Sequence, residues 1–170
     1  KFYQINKKFI DILLILVLSF LQKDFEREES HMSFQTVITS DNAPKAIGAY
    51  SPGLCLDGLV LFSGQLPINP ATGKIEAEDA KGQAEQSMKN IGALLEAADL
   101  TFKDVVRTTI YLADINDFAA VNEAYSQFVE EPYPVRSCIQ VGAIPMGAKV
   151  EIEVTCARGR IAAQECESCK

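Results

Sequence analysis

Residues 149–157 read KVEIEVTCA, and the fold turns on how that stretch is read. Val150, Ile152 and Val154 alternate with Glu151, Glu153 and Thr155, the two-residue period of a strand with one apolar and one polar face. Just upstream, Val135 to Val141 sorts the same way, with Arg136, Cys138 and Gln140 against Ser137, Ile139 and Val141. A turn around Pro145-Met146-Gly147 joins the two runs. Read as neighbours, they put Arg136 and Glu151 on the polar face of one sheet, while the apolar face calls for helices to cover it.

Those helices are legible in the middle of the chain. From Asp79 to Ala98, the residues Ala80, Ala84, Met88, Ile91, Leu94, Leu95 and Ala98 recur three or four apart, the spacing of one helical face. A second helix, capped by Asn116 or Asp117, is expected to carry Phe118, Val121, Tyr125 and Phe128 inward. Between the helices, Val105 to Ala113 is β-branched and aromatic enough for a strand buried on both faces. Nearer the start, Phe34 to Thr39 reads as a first strand. Leu54 to Leu56, Asp57-Gly58 and Leu59 to Phe62 then read as a hairpin, the dipeptide supplying the positive φ angles of a type I′ turn and Ser63-Gly64-Gln65 closing the second strand. The order β-ββ-α-β-α-ββ describes an α+β domain, a mostly antiparallel mixed sheet with two helices on one face. Its other face carries apolar as well as charged residues, which predicts burial against further copies in a closed oligomer.

Composition bounds the chemistry. With 170 residues the chain supports one sizeable core, and a formal charge of −7 argues against a broad phosphate-binding surface and hence against nucleic acid as the partner. The single histidine, His31, precedes the domain, so acid–base work falls to carboxylates, tyrosine or cysteine. Three of the five cysteines, Cys55, Cys138 and Cys156, lie in apolar strand-like runs and suit a reducing compartment. Cys166 and Cys169 form an isolated CxxC with neither a second pair nor a βαβ context, so no metal site is predicted. Phe9 to Leu21 is the most apolar stretch, but it holds Asp11 and falls short of the ~20 residues that span a bilayer, so no membrane association is predicted. The expected organisation is an N-terminal extension over 1–31, a domain over 32–158 and a tail over 159–170.

Within the domain, a few side chains are equipped for chemistry. The planar fork of Arg136, following Pro134-Val135, can hold a carboxylate by two parallel hydrogen bonds; an ion pair to Glu151 or Glu153 is the alternative use of the same group. Glu151 can accept a proton from water or orient it, or stand as a solvated strand residue. Tyr50 in GAYSPG offers an aromatic wall and a hydroxyl, or ordinary packing. Ser63 can bond a ligand or cap a turn, and Asn122, between Val121 and Tyr125, can bond a neighbouring loop or the pocket.

Taken together, IGAYSPG, LVLFSGQLPINPATG, VNEAY, PVRSCIQV and KVEIEV make the chain from Phe34 to Arg158 resemble the Rid family, the reactive intermediate deaminases of YjgF type. The resemblance implies a chorismate-mutase-like fold, a homotrimer whose sheets form a central barrel, and active sites in the clefts between subunits. It implies hydrolysis of small 2-imino acids such as 2-iminobutanoate and 2-iminopropanoate to 2-keto acids and ammonia, with no metal or organic cofactor. Carried over by position, Arg136 binds the carboxylate and Glu151 directs water. Tyr50, Ser63 and Asn122 surround the pocket, and Cys138 contributes chiefly through its backbone. Ile144 stands where the family more often has Leu, Met or Val, and both tails are unlike compact members. The expected location is the cytoplasm, with the mitochondrion as the alternative. The competing expectations are a ribonuclease or translation inhibitor, and a non-enzymatic sensor or chaperone using the same cleft.

Overall fold

The structure is a computed structural model and describes residues 36–158. Phe9 to Leu21, His31, Phe34 and the Cys166/Cys169 pair lie outside the described residues. The elements, in chain order, are β1 (Thr36–Ile38), β2 (Gly53–Leu56), β3 (Leu59–Gln65), β4 (Ile68–Asn69), β5 (Lys74–Ile75), α1 (Ala80–Ala97), β6 (Val105–Leu112), α2 (Phe118–Ser126), β7 (Val135–Gln140) and β8 (Val150–Ala157). Six strands form one sheet in the order β1-β2-β3-β8-β6-β7, while β4 and β5 make a separate ribbon. Every pairing in the main sheet is antiparallel except β6 with β7, which α2 connects as a parallel crossover.

The local signals act as read at most of these junctions. Asp57 and Gly58 both have positive φ, 41° and 88°, so the β2–β3 turn twists as its hairpin requires. The Asp79 carboxylate accepts the Gly82 N–H at 2.8 Å and starts α1. That helix ends where Asp99 turns left-handed and the Leu100 N–H returns to the Leu95 carbonyl, closing the orphan carbonyls of the last turn. Its apolar stripe, with Val121 and Tyr125 of α2, is buried against Val60, Phe62, Ile110, Leu112, Val150, Ile152 and Val154. Burial of each such side chain stabilises the fold by about 1.5–3 kcal/mol relative to exposure.

Four expectations are corrected. The last two strands are not neighbours: β8 slots between β3 and β6, so β6 separates it from β7. Helix α2 follows a 3-10 turn in which Asp114 accepts from Asn116, and Asp117 makes no side-chain cap. Phe118 is 41% exposed rather than inward, and β6 is covered on only part of its second face, where Arg107 stands in solvent.

The face away from the helices carries one continuous row of register partners, Val37, Leu54, Leu61, Thr155, Arg107 and Val135. Val37 is 55% and Val135 69% exposed, so among the described residues nothing covers this mixed face. Among the described residues no helix is long and apolar enough to cross a membrane.

Candidate active site

Arg136 and Glu151 are strand residues, so sheet register decides where each side chain points. Ile38, Gly53, Phe62, Val154, Thr108 and Arg136 form one row across all six strands. A separate row joins Glu151, Tyr111 and Ile139. Partners in a row share a face, and successive residues of a strand alternate. Val154 and Glu151 are an odd number of positions apart on β8, so their rows, and with them Arg136 and Glu151, leave the sheet on opposite faces. The expectation that both occupy the helix-free face is overturned, because β6 intervenes and pairs with β7 in that register. An ion pair between them within one chain is excluded by the same geometry.

Arg136 therefore lies on the helix side, at the sheet's edge. Its guanidinium donates to Asn122 Oδ1 at 2.8 Å and lies over the Tyr125 ring at 4.9 Å and the Phe118 ring at 5.7 Å. Tyr125 is in turn fixed by a hydroxyl–hydroxyl bond to Thr108 at 3.1 Å, and burial pushes its phenol upward. Only one of the five guanidinium donors is engaged by Asn122, which leaves others for a planar anion. Among the described residues Arg136 makes no ion pair. Asn122, Tyr125, Ser126, Val129, Tyr133 and Arg136 line a hollow of about 440 Å³. Cys138, two positions along the same face, is half-buried, and that burial raises its thiol pKa against the lowering pull of Arg136.

Glu151 sits on the other face in a second hollow, of about 350 Å³, shared with Tyr50, Ser63, Gly64 and Pro145. The Ser63 hydroxyl donates to the Ser51 carbonyl at 2.8 Å, and the Tyr50 hydroxyl accepts from the Ile47 N–H at 3.4 Å. Burial, and secondarily the nearby Glu153 carboxylate, raises the pKa of Glu151. Its carboxylate rests directly on Gly64: a Cβ there would stand 2.8 Å from the Glu151 Cδ.

The predicted residues thus separate into two groups, Arg136 with Asn122 and Cys138, and Glu151 with Tyr50 and Ser63. Sequence reading missed Phe118 and Tyr125 as the walls around the arginine and Gly64 as the seat of the glutamate. A glycine inside a strand was the available signal for the last, since it marks a bulge or a close approach.

Comparison with known proteins settles the family. The profile described as Endoribonuclease L-PSP matches residues 40–158. The chain belongs to the endoribonuclease L-PSP family. Within this family, a Salmonella typhimurium protein named 2-iminobutanoate/2-iminopropanoate deaminase is 45% identical over 71% of this chain and 96% of its own length. The goat (Capra hircus) protein of the same name is 42% identical over 72% of this chain and 90% of its own. Among solved L-PSP structures, RidA from a Psychrobacter species superposes with a TM-score of 0.70 at 42% identity, covering 72% of this chain and 98% of that one. Escherichia coli TdcF, solved with bound serine, gives 0.69 at 43% identity, with the same coverage. The resemblance to the Rid family, read from the motifs, is borne out.

Proposed function

We propose that the chain hydrolyses small 2-imino acids to 2-keto acids and ammonia, at sites each built from the Arg136 hollow of one copy and the Glu151 hollow of another. The observation carrying this reading is the placement of the two groups on opposite faces of one sheet, where a single copy cannot bring both to a small substrate. The uncovered face favours assembly, and a closed ring of three copies, with the sheets as a chorismate-mutase-like barrel, buries it on every subunit. The deaminase names of relatives in the 42–45% identity range support the substrate class, and the serine held by TdcF carries the α-carboxylate that a guanidinium fork recognises. The described cysteines are free thiols, which suits the cytoplasm or another reducing compartment.

In the reaction, Arg136 holds the carboxylate, with Asn122 and the two rings fixing its fork. Glu151 takes a proton from water as the oxygen adds to the C=N carbon. The protonated carboxyl hands that proton to nitrogen, giving a carbinolamine; it then takes the carbinolamine hydroxyl proton and delivers it to the amine as C=O forms and the C–N bond breaks, so that ammonia leaves with the keto acid behind it. A carboxylate whose pKa is raised by burial suits both halves of this shuttle, a base role generally worth about 10²–10⁴-fold. The imine carbon is already electrophilic, so no metal or organic cofactor is required.

The test mixes two inactive variants. Arg136→Ala and Glu151→Gln chains, each without activity alone, are co-refolded in equal amounts and assayed for loss of 2-iminobutanoate made in situ by a threonine dehydratase. In a cyclic oligomer about one site in four then combines an intact arginine with an intact glutamate, so roughly a quarter of wild-type activity returns. No recovery from verified mixed oligomers overturns the shared site. The family's description raises a second reading, RNA cleavage, which the charge of −7 disfavours. Cleavage that survives purification and is lost in Arg136→Ala would favour it.

A further inference from the structure

Helix α1 buries three polar residues, Gln83, Ser87 and Asn90, spaced four and three apart on one stripe beside its apolar face. A buried amide left without partners costs about 1–3 kcal/mol, so its bonds indicate what the position is for. Gln83 Oε1 accepts the Lys149 N–H at 2.7 Å, and its Nε2 donates to the Ala77 carbonyl at 2.9 Å. Asn90 Nδ2 donates to the carbonyls of both Leu66 and Ile68 at 2.9 Å each, while its Oδ1 accepts from Gln86 at 2.9 Å. All of these bonds outside α1 go to backbone, and all but the one to Ala77, just before the helix, go to backbone flanking the Glu151 hollow. Lys149 lies two residues before Glu151. Leu66 and Ile68 follow directly on Ser63-Gly64-Gln65.

That segment is where the sheet itself specifies least. The β3–β8 register runs regularly to Phe62 and Val154, breaks, and resumes only at Gln65 and Ile152. Ser63 and Gly64 thus stand in an irregularity opposite Glu153, and β3 leaves the sheet straight after it. Yet the tolerance is small, because the Glu151 carboxylate is seated on Gly64 with no room for a methyl group between them. Catalytic groups need their supporting contacts to hold within about 0.5 Å.

We infer that Gln83 and Asn90 are positioning residues for the hydrolysis: two amides, two helical turns apart on α1, hold the ends of β3 and β8 at the separation that seats Glu151 against Gly64 beside Ser63. This rests on the water-directing role of Glu151. The groups facing Glu151 from its own and the adjacent strand are Glu153 and Tyr111.

The test compares Asn90→Ala and Gln83→Met in the full chain with Ser87→Ala, a control on the same stripe whose hydroxyl has no partner among the described residues. The two amide variants are expected to lower kcat about 10- to 100-fold with KM changed less than about threefold. They also move the acid limb of the kcat–pH profile downward, as Glu151 loosens toward water. Ser87→Ala should keep both parameters. Wild-type kcat and an unmoved acid limb in the folded amide variants, with only melting temperature lowered, overturn the inference. If Asn90→Ala does not fold, Gln83→Met, which retains length and bulk, decides by the same criteria. Glu151→Gln run alongside separates the two readings: an active Glu151→Gln refutes the role of the glutamate, whereas an inactive one beside normal amide variants refutes the positioning alone.

Discussion

Replacing Gly64 by alanine adds one methyl group at the place where the site has least room. The added Cβ would stand 2.8 Å from Cδ and 3.0 Å from Cγ of Glu151, and nearer still to its Oε1. Carbon atoms pack at about 3.5–4.0 Å, so the carboxyl carbon must retreat by roughly 0.7–1.2 Å. The backbone at Gly64 is not in the left-handed region, so alanine is accepted there without strain and the fold should hold. A misplacement of about 1 Å in a reacting group costs on the order of 10²-fold, or about 2.7 kcal/mol in the barrier. The expected result is a kcat lowered about a hundredfold in a folded, correctly assembled protein, with KM little altered because Arg136 is on another surface. The assay follows disappearance of 2-iminobutanoate generated in situ, with circular dichroism and sizing on the same preparation. A Gly64→Ala variant within about twofold of wild type would refute the reasoning, since the carboxylate would then not need its seat.

Two other outcomes follow from the geometry. Asn122→Ala removes the one side-chain hydrogen bond the guanidinium makes among the described residues while leaving both rings in place, so KM should rise about 5- to 20-fold with kcat nearly kept, equivalent to about 1–2 kcal/mol, the low end for a charged hydrogen bond because this one is exposed; steady-state kinetics with two imine substrates check this. Glu151→Gln removes activity but should stabilise the fold at neutral pH. The pKa of the glutamate is raised on folding, so its contribution to stability is full below its unfolded value, about 4.3, and is lost as pH rises through the folded value. Thermal melts should show the variant above wild type at pH 7 and the gap closing near pH 4.

Much of the fold was readable because its signals are local. The two-residue alternation of Val150 to Thr155, the Asp57-Gly58 turn and the spacing of Ala84, Met88, Ile91 and Leu95 each depend on residues within one turn or one strand. Phe118 was misjudged by the same logic, since helical spacing assigns a side to a residue but not the packing partner, here an arginine from another element.

By itself, then, the sequence determined the six strands of the main sheet and both helices, the α+β class and the chemical types of the reacting groups, because periodicity, turn dipeptides and side-chain chemistry act over a few residues. Strand order was decided only in three dimensions. Nothing local to KVEIEV states that β8 inserts between β3 and β6, yet that insertion reverses the relation of Arg136 to Glu151. Two side chains that alternation alone would have put on one surface are separated by the thickness of a sheet, because the face on which a side chain emerges depends on register with strands far away in the chain.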